Sequence, residues 1–186
     1  MFGLNSIVAI EMSLKEQNVR EAATHNGSRT ILLSATRRFV HAARCCSGIR
    51  RIALIGSLTT SKVTPKDTDL LLTIEHPMDL APIARIGRQL QGRLQSYNLG
   101  VDIFLADAMN SYIGRVCSYR ECRPRIACRA ENCGKHPHLN DDLHVVTLNA
   151  DLIAAPPVVL WPRVVRNCDV PADVESELIE KIVTVE

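Results

Sequence analysis

"IALIGSLTTSKVTPKDTDLLLTI", residues 52–74, decides how this chain folds. An apolar run ends in Gly56-Ser57, nine residues pass, and a second apolar run opens on Asp67 and Asp69. Short apolar runs punctuated by Gly and Asp read as buried strands. Residues two apart on a strand share a face, so Asp67 and Asp69 project together. Two carboxylates that close repel each other unless a cation or a bound proton compensates. Mg²⁺ suits them, because it prefers hard oxygen ligands and is held by one or two carboxylates plus substrate phosphates. Gly56 permits a tight turn and a close backbone approach. The amides after it can line an anion pocket, and the Ser57 hydroxyl can donate to a phosphate oxygen. Lys62 and Lys66, in the intervening loop, add positive charge.

Outward from this stretch the pattern alternates. "RIALI" (51–55) and "DTDLLLTI" (67–74) read as strands. Ile83, Ile86, Leu90 and Leu94 then repeat at helical spacing, with Asp79 able to cap and Pro82 in the first turn. Asn98-Leu99-Gly100 closes that helix, and "VDIFLA" (101–106) is a third strand. A helix between two strands implies a crossover, so strands two and three are expected to run parallel. Asp102 then becomes a candidate neighbour of Asp67 and Asp69. It is preferred to Asp107 as third carboxylate because it lies inside the apolar run, where an unpaired charge is costly. Three carboxylates at one sheet edge suit a two-metal site for phosphoryl or nucleotidyl transfer.

Before this core, residues 1–48 read as helical. Leu32, Ala35, Phe39, Ala42, Ala43 and Cys46 form one stripe, with Ser28 as N-cap and Gly48 as stop. After it, "PPVVLW" (156–161) and "LHVVTL" (143–148) read as strands and "PADVESELIEKIV" (171–183) as a closing helix, with Val174, Leu178 and Ile182 on one side. Four sections follow: a helical section over 1–48, a core over 49–110, a Cys-rich basic insert over 111–140, and strands and helix over 141–186 that complete the same domain. The expected class is α/β (α+β), a small mixed sheet with helices packed on one face.

The chain has 186 residues, 46% apolar and 23% charged, which fits one globular domain with an appendage. One Trp, three Tyr and three Phe leave the core to aliphatic residues. A formal charge of +2 implies no polyanion partner in bulk. No run of eighteen apolar residues suggests a membrane span. "MFGLNSIVAIEMSLKEQ" lacks a basic start and meets Glu11 early, unlike a signal peptide, so a cytoplasmic location is expected. Seven cysteines, an odd number, then read as reduced thiols or metal ligands.

"GS", nine residues, "DTDL", then "VDIF" on a later strand resembles the signature of the nucleotidyltransferase superfamily, the polymerase-beta-like enzymes. "TPKDTDLLL" is similar to the core of its minimal, stand-alone bacterial members. The resemblance spans about residues 49–106. It implies a nucleotidyltransferase-like fold in which Gly56 and Ser57 bind a triphosphate and Asp67, Asp69 and Asp102 hold Mg²⁺ (or Mn²⁺). Lys66, as a positive charge in the intervening loop, is added to the nucleotide-binding set. Thr68 departs from the pattern, which commonly has an apolar residue there, and the nine-residue gap leaves room for only a brief helix. The implied activity is transfer of a nucleoside monophosphate from an NTP, ATP foremost, to an unidentified acceptor, which could be a protein. The alternative is a catalytically weak or silent module that binds a protein partner, as small relatives that accompany toxin proteins do.

Residues 111–138 carry Arg115, Arg120, Arg123, Arg125, Arg129 and Lys135 against Glu121 and Glu131, a local excess of four positive charges. Cys117, Cys122, Cys128 and Cys133 are spaced C-x4-C-x5-C-x4-C, and His136 and His138 follow. Four thiolates can hold a structural Zn²⁺. The spacing is not the paired C-x2-C pattern, so reduced cysteines and disulfides stay open. With only Tyr112 and Tyr119 interleaved, stacking on a nucleic acid is weakly supported.

Overall fold

The computed structural model describes residues 27–75, 77–117, 119, 137–140, 153 and 155–184. Six strands form one mixed sheet: β1 (Ile49–Ile55), β2 (Asp67–Ile74), β3 (Gly100–Ala106), β4 (Tyr112–Val116), β5 (Leu139–Asn140) and β6 (Val158–Trp161). Their order is β5-β4-β3-β2-β1-β6. Every neighbouring pair is antiparallel except β2 and β3, which run parallel through the helix between them. That exception is the crossover expected from the sequence.

Among the described residues, three helices and one short 3₁₀ turn accompany the sheet. Helix α1 covers residues 27–43, and α2 is Ala81–Gln95. The third, α3, covers residues 172–183, with a π-helical turn at Glu175–Ile179 between α-helical ends. One apolar cluster joins Leu32, Phe39 and Val40 of α1, Ile83, Leu90 and Leu94 of α2, and Val174, Leu178 and Ile182 of α3 to one parity of strand residues: Ile52, Leu54, Leu70, Leu72, Ile103 and Leu105. Burying these aliphatic side chains is the main stabilising term. The opposite parity, Ile55, Leu71, Phe104 and Ala106, forms a separate small cluster with Tyr112. All three helices thus belong to one side of the sheet. Asp67, Asp69 and Asp102 have the parity of the other side.

Local chemistry explains the boundaries. The N-cap of α2 is Leu80, and the Asp79 carboxylate just before it accepts the Ala81 N–H at 2.9 Å, while Asn98, at φ +58, ends the turn after the helix. Gly87 of α2 lets the helix approach the sheet, since a Cβ there would lie 2.9 Å from Ile103 Cδ1. The stripe on α1 differs in part from expectation. Ala42 is exposed and Leu33 and Val40 are buried, because the face that meets the sheet is rotated toward them. Ser28 is not an N-cap, since Gly27 is already helical. Cys45 is exposed at the end of α1.

The largest departure concerns the section from 111. The sequence reads there as a Cys-rich basic insert to the core, yet Tyr112–Val116 pairs with β3 and Leu139–Asn140 pairs with β4. Both ends of that section are part of the sheet. Gly114, at φ +130, makes the pairing possible, because a Cβ there would stand 2.5 Å from the Asn140 carbonyl oxygen. The strand expected over 143–148 and the helical reading of 1–26 lie outside the described residues. Among the described residues, no helix is long and apolar enough to cross a membrane.

Candidate functional site

Strand pairing brings the sequence-predicted residues together. In the parallel register Asp69 stands beside Asp102 and Asp67 beside Gly100. On its other side Asp69 pairs with Ile55, the last residue of β1. The chain then turns through a single 3₁₀ turn, Gly56–Thr59, the brief helix that a nine-residue gap allows. Gly56 has φ +72, and a methyl group there would overlap Asp69 Oδ2 and stand 3.0 Å from Asp69 Cγ. The glycine therefore serves two needs, a left-handed backbone and a close approach to a carboxylate. Gly56, Ser57, Asp69 and Asp102 meet at one sheet edge, with Asp67 at the exposed start of β2. Asp107 sits at the far end of β3, where its Oδ1 accepts the N–H groups of Met109 and Ser111 and closes a turn.

Thr68, the departure between the two aspartates, faces the helices. Its hydroxyl is buried and shares a 2.9 Å hydrogen bond with Thr36 of α1. An apolar residue would fill the same space; here a second threonine satisfies the polar atom instead.

The electrostatics set Asp69 apart. It is 5% exposed. Burial, followed by the charges of Asp67 and Asp102, pushes its carboxyl up to about 7, against the pull of the Lys62 ammonium. Both effects disfavour a second negative charge at this place. Asp102 has a different partner: Arg115 of β4 donates Nη1–H to its Oδ1 at 2.8 Å. That ion pair is open to water, with the Arg115 and Asp102 side chains 28% and 42% exposed. The Ser57 Oγ is buried and, among the described residues, has no hydrogen-bond partner. A buried hydroxyl left unpaired costs free energy, so it marks a place where an acceptor is missing. Of the two lysines in the loop, Lys62 is the one whose charge reaches Asp69; Lys66 is exposed, and its carbonyl accepts the Gly100 N–H at 2.8 Å.

Sequence reasoning missed Arg115, because its role depends on β4. It also missed Arg29 of α1, which donates to the carbonyls of Leu58, Thr60 and Lys62 and to Asp173. Burial alone would raise the Asp173 carboxyl, but the Arg29 hydrogen bonds and charge outweigh it and hold Asp173 below the ordinary carboxylate range.

Among the described residues, no three His, Cys, Asp or Glu side chains are arranged as a metal cluster. Asp67 and Asp69 nonetheless lie one residue apart on β2 with Asp102 in register on β3, three hard oxygen donors of the kind Mg²⁺ prefers. The cysteine proposal is only partly visible. Cys117 is buried and its N–H bonds the His138 carbonyl at 2.7 Å, while the His138 Nδ1 is buried with no partner among the described residues. Cys122, Cys128 and Cys133 lie outside the described residues.

A family profile matches residues 4–122, well over half of the 186 residues. The chain belongs to the DUF6932 family. DUF6932 is described as a family of unknown function, and its matched stretch holds Gly56, Ser57, Asp67, Asp69, Asp102 and Arg115. No curated protein and no solved structure matches this DUF6932 chain.

Proposed function

We propose that this DUF6932 protein is a nucleotidyltransferase-like protein that binds an NTP, ATP foremost, with Mg²⁺ or Mn²⁺ and transfers its NMP group to a nucleophile of an acceptor, the bond from the α-phosphorus to pyrophosphate breaking as the new one forms and pyrophosphate leaving. One observation carries the reading: the chain spends a left-handed glycine to press the backbone before Ser57 against a buried carboxylate that adjoins two more. A site of that kind stores cost in the empty state and recovers it when a cation and a phosphate chain arrive. Asp67 and Asp69 would hold the ion, with Asp102 joining them once it parts from Arg115. The ion would supply charge stabilisation to the phosphates. Ser57 Oγ would donate to a phosphate oxygen, and Lys62 would offset negative charge near Asp69. The acceptor is of a class these residues do not specify.

The test is incubation of the full chain with Mg²⁺ or Mn²⁺, each of the four labelled NTPs and candidate acceptors, a co-expressed protein among them. Asp69→Asn is expected to abolish transfer, and Asp67→Asn to weaken it strongly. Transfer that survives both substitutions removes this mechanism.

A second reading has its own support. The Arg115–Asp102 ion pair engages the third carboxylate with a cation that belongs to the chain itself. A protein that keeps this pair when nucleotide is present would be a binding module for a protein partner. NTP binding without turnover, alongside a co-purifying partner, favours it.

A further inference from the structure

The loop between Ser57 and Asp67 is gripped from behind by one side chain. Arg29 is 7% exposed. Its guanidinium donates to the carbonyls of Leu58 at 3.3 Å, Thr60 at 3.3 Å and Lys62 at 2.7 Å. It also donates to both Asp173 oxygens, at 2.5 and 3.0 Å. The rigid, five-donor guanidinium fork can bond several carbonyls of one loop while paired to a carboxylate, which the single ammonium of a lysine does less well. Arg29 thereby ties α1, the loop and α3 at one point.

Peptide planarity gives this grip a consequence on the far side of the loop. In a trans peptide the N–H points away from the C=O it is bonded through. Drawing the Thr60 and Lys62 carbonyls in toward Arg29 turns the amides of Ser61 and Val63 outward. Ser61, Lys62 and Val63 are all exposed. Lys62 is also the residue whose ammonium acts on Asp69, and Ser57, at the head of the same loop, has the unpartnered buried hydroxyl. Outward amides, a lysine and a hydroxyl on one short loop are the donors that a chain of phosphates requires.

We propose that Arg29 is the positioning residue of a polyphosphate-binding loop, holding Lys62 and the amides of Ser61 and Val63 where they receive the phosphate chain of a nucleoside triphosphate. The proposal rests on the nucleotide reading above and adds that recognition on this side is by backbone and Lys62, shaped by a residue that never touches the ligand. The base and sugar play no part in it, so inorganic tripolyphosphate is a sufficient probe.

The experiment titrates tripolyphosphate, and separately ATP with Mg²⁺, into the full chain well below its melting temperature. The variants are Arg29→Lys, Lys62→Gln, Arg29→Met with Asp173→Leu, and that pair combined with Lys62→Gln. Removing both partners together leaves no unpaired charge behind, so the Met/Leu variant is expected to fold, its stability lowered by the lost carbonyl bonds. Lys62→Gln is expected to weaken tripolyphosphate about tenfold, the scale of one charge-assisted contact. The Met/Leu variant is expected to lose at least as much, and adding Lys62→Gln to it to lose little more, because Lys62 is no longer placed. In ¹⁵N spectra the Ser61 and Val63 amides should shift with tripolyphosphate in the wild type and not in the Met/Leu variant. A folded Met/Leu variant with wild-type affinity and wild-type amide shifts overturns the proposal, as does a Lys62→Gln loss of equal size in both backgrounds. In either case the nucleotide site stands if ATP with Mg²⁺ still binds and Asp69→Asn still abolishes that. If the wild type binds neither probe, the nucleotide reading and this inference fall together.

Discussion

Replacing Asp69 by Asn tests the site without any substrate. The Asp69 carboxyl moves from an ordinary 3.8 to about 7 on folding. A raised acid is protonated in both folded and unfolded chains below 3.8, so it has no effect there. As pH rises from 3.8 toward 7 the unfolded chain ionises first, and stability falls; above about 7 both forms are charged and the loss is complete. At about 1.36 kcal/mol per pKa unit, the full loss is about 4 kcal/mol, and the part between pH 5 and pH 8 is about 2.5 kcal/mol. Asn carries no charge, so Asp69→Asn should escape this loss. Any fixed packing cost of the amide is the same at both pH values and cancels, as does the titration of Asp173 and every other shared group. Urea unfolding of both proteins across pH 5–8 measures the difference directly. The wild type should lose about 2.5 kcal/mol relative to the variant, a relative shift of roughly 5–10 °C in Tm for a domain of this size. Parallel pH profiles for the two proteins would refute the claim that burial and the charges of Asp67 and Asp102 together raise the Asp69 carboxyl. With Mg²⁺ at saturation the wild type should recover stability at pH 8 and the variant should not.

Gly56→Ala should cost at least about 2 kcal/mol in chemical denaturation, since a side chain at positive φ is strained and its methyl overlaps Asp69 Oδ2. Asp69→Ala in the same chain should return part of that loss and leave the strain. Thr36→Val should cost about 1–3 kcal/mol by stranding the buried Thr68 hydroxyl, and Thr36→Val with Thr68→Val should be close to neutral. Asp173, held low by Arg29, contributes stability above the ordinary carboxylate pKa that is lost as pH falls through its depressed value; Asp173→Asn should flatten the acid limb of the stability profile. Arg115→Gln should raise Mn²⁺ affinity, read by paramagnetic resonance of the free ion, because it removes the competing cation from Asp102; unchanged or weaker binding would show that Arg115 does not compete.

The legible parts of this fold are those where apolar runs end abruptly. β2 shows its whole length in "DTDLLLTI", and α2 shows both ends in Asp79 and in Asn98-Leu99-Gly100. From these alone the parallel pairing of β2 and β3 follows, and with it the juxtaposition of Asp69 and Asp102. β4 was hidden because "YIGRV" contains a glycine and an arginine, and its apolar content is too thin to stand out against a Cys-rich neighbourhood. Asp107 through Asn110 is a tight turn between two strands, and that turn was the signal available. Arg29 gave no signal at all. On a helical pattern it is one more polar residue, and its partners lie 29 to 144 positions away. Side chains that act by long-range geometry leave little trace in local spacing.

The two arginines at this site differ in the depth at which they work, and depth decides what each can do. Arg29 is enclosed and bonded to three carbonyls and a carboxylate, so freeing it would leave a buried charge unpaired at a cost of several kcal/mol. It cannot let go while the chain is folded. Arg115 and Asp102 are both partly open to water, where a single ion pair contributes about 0–1 kcal/mol. That is small beside the cost of charging the buried Asp69, so on the proposed reading an arriving cation would take Asp102 from Arg115 at little cost. The loop side of the site is therefore fixed and the carboxylate side is exchangeable. A phosphate chain would meet a preformed surface, while the ion that accompanies it would displace a resident guanidinium that then stands within reach of the negative charge just introduced.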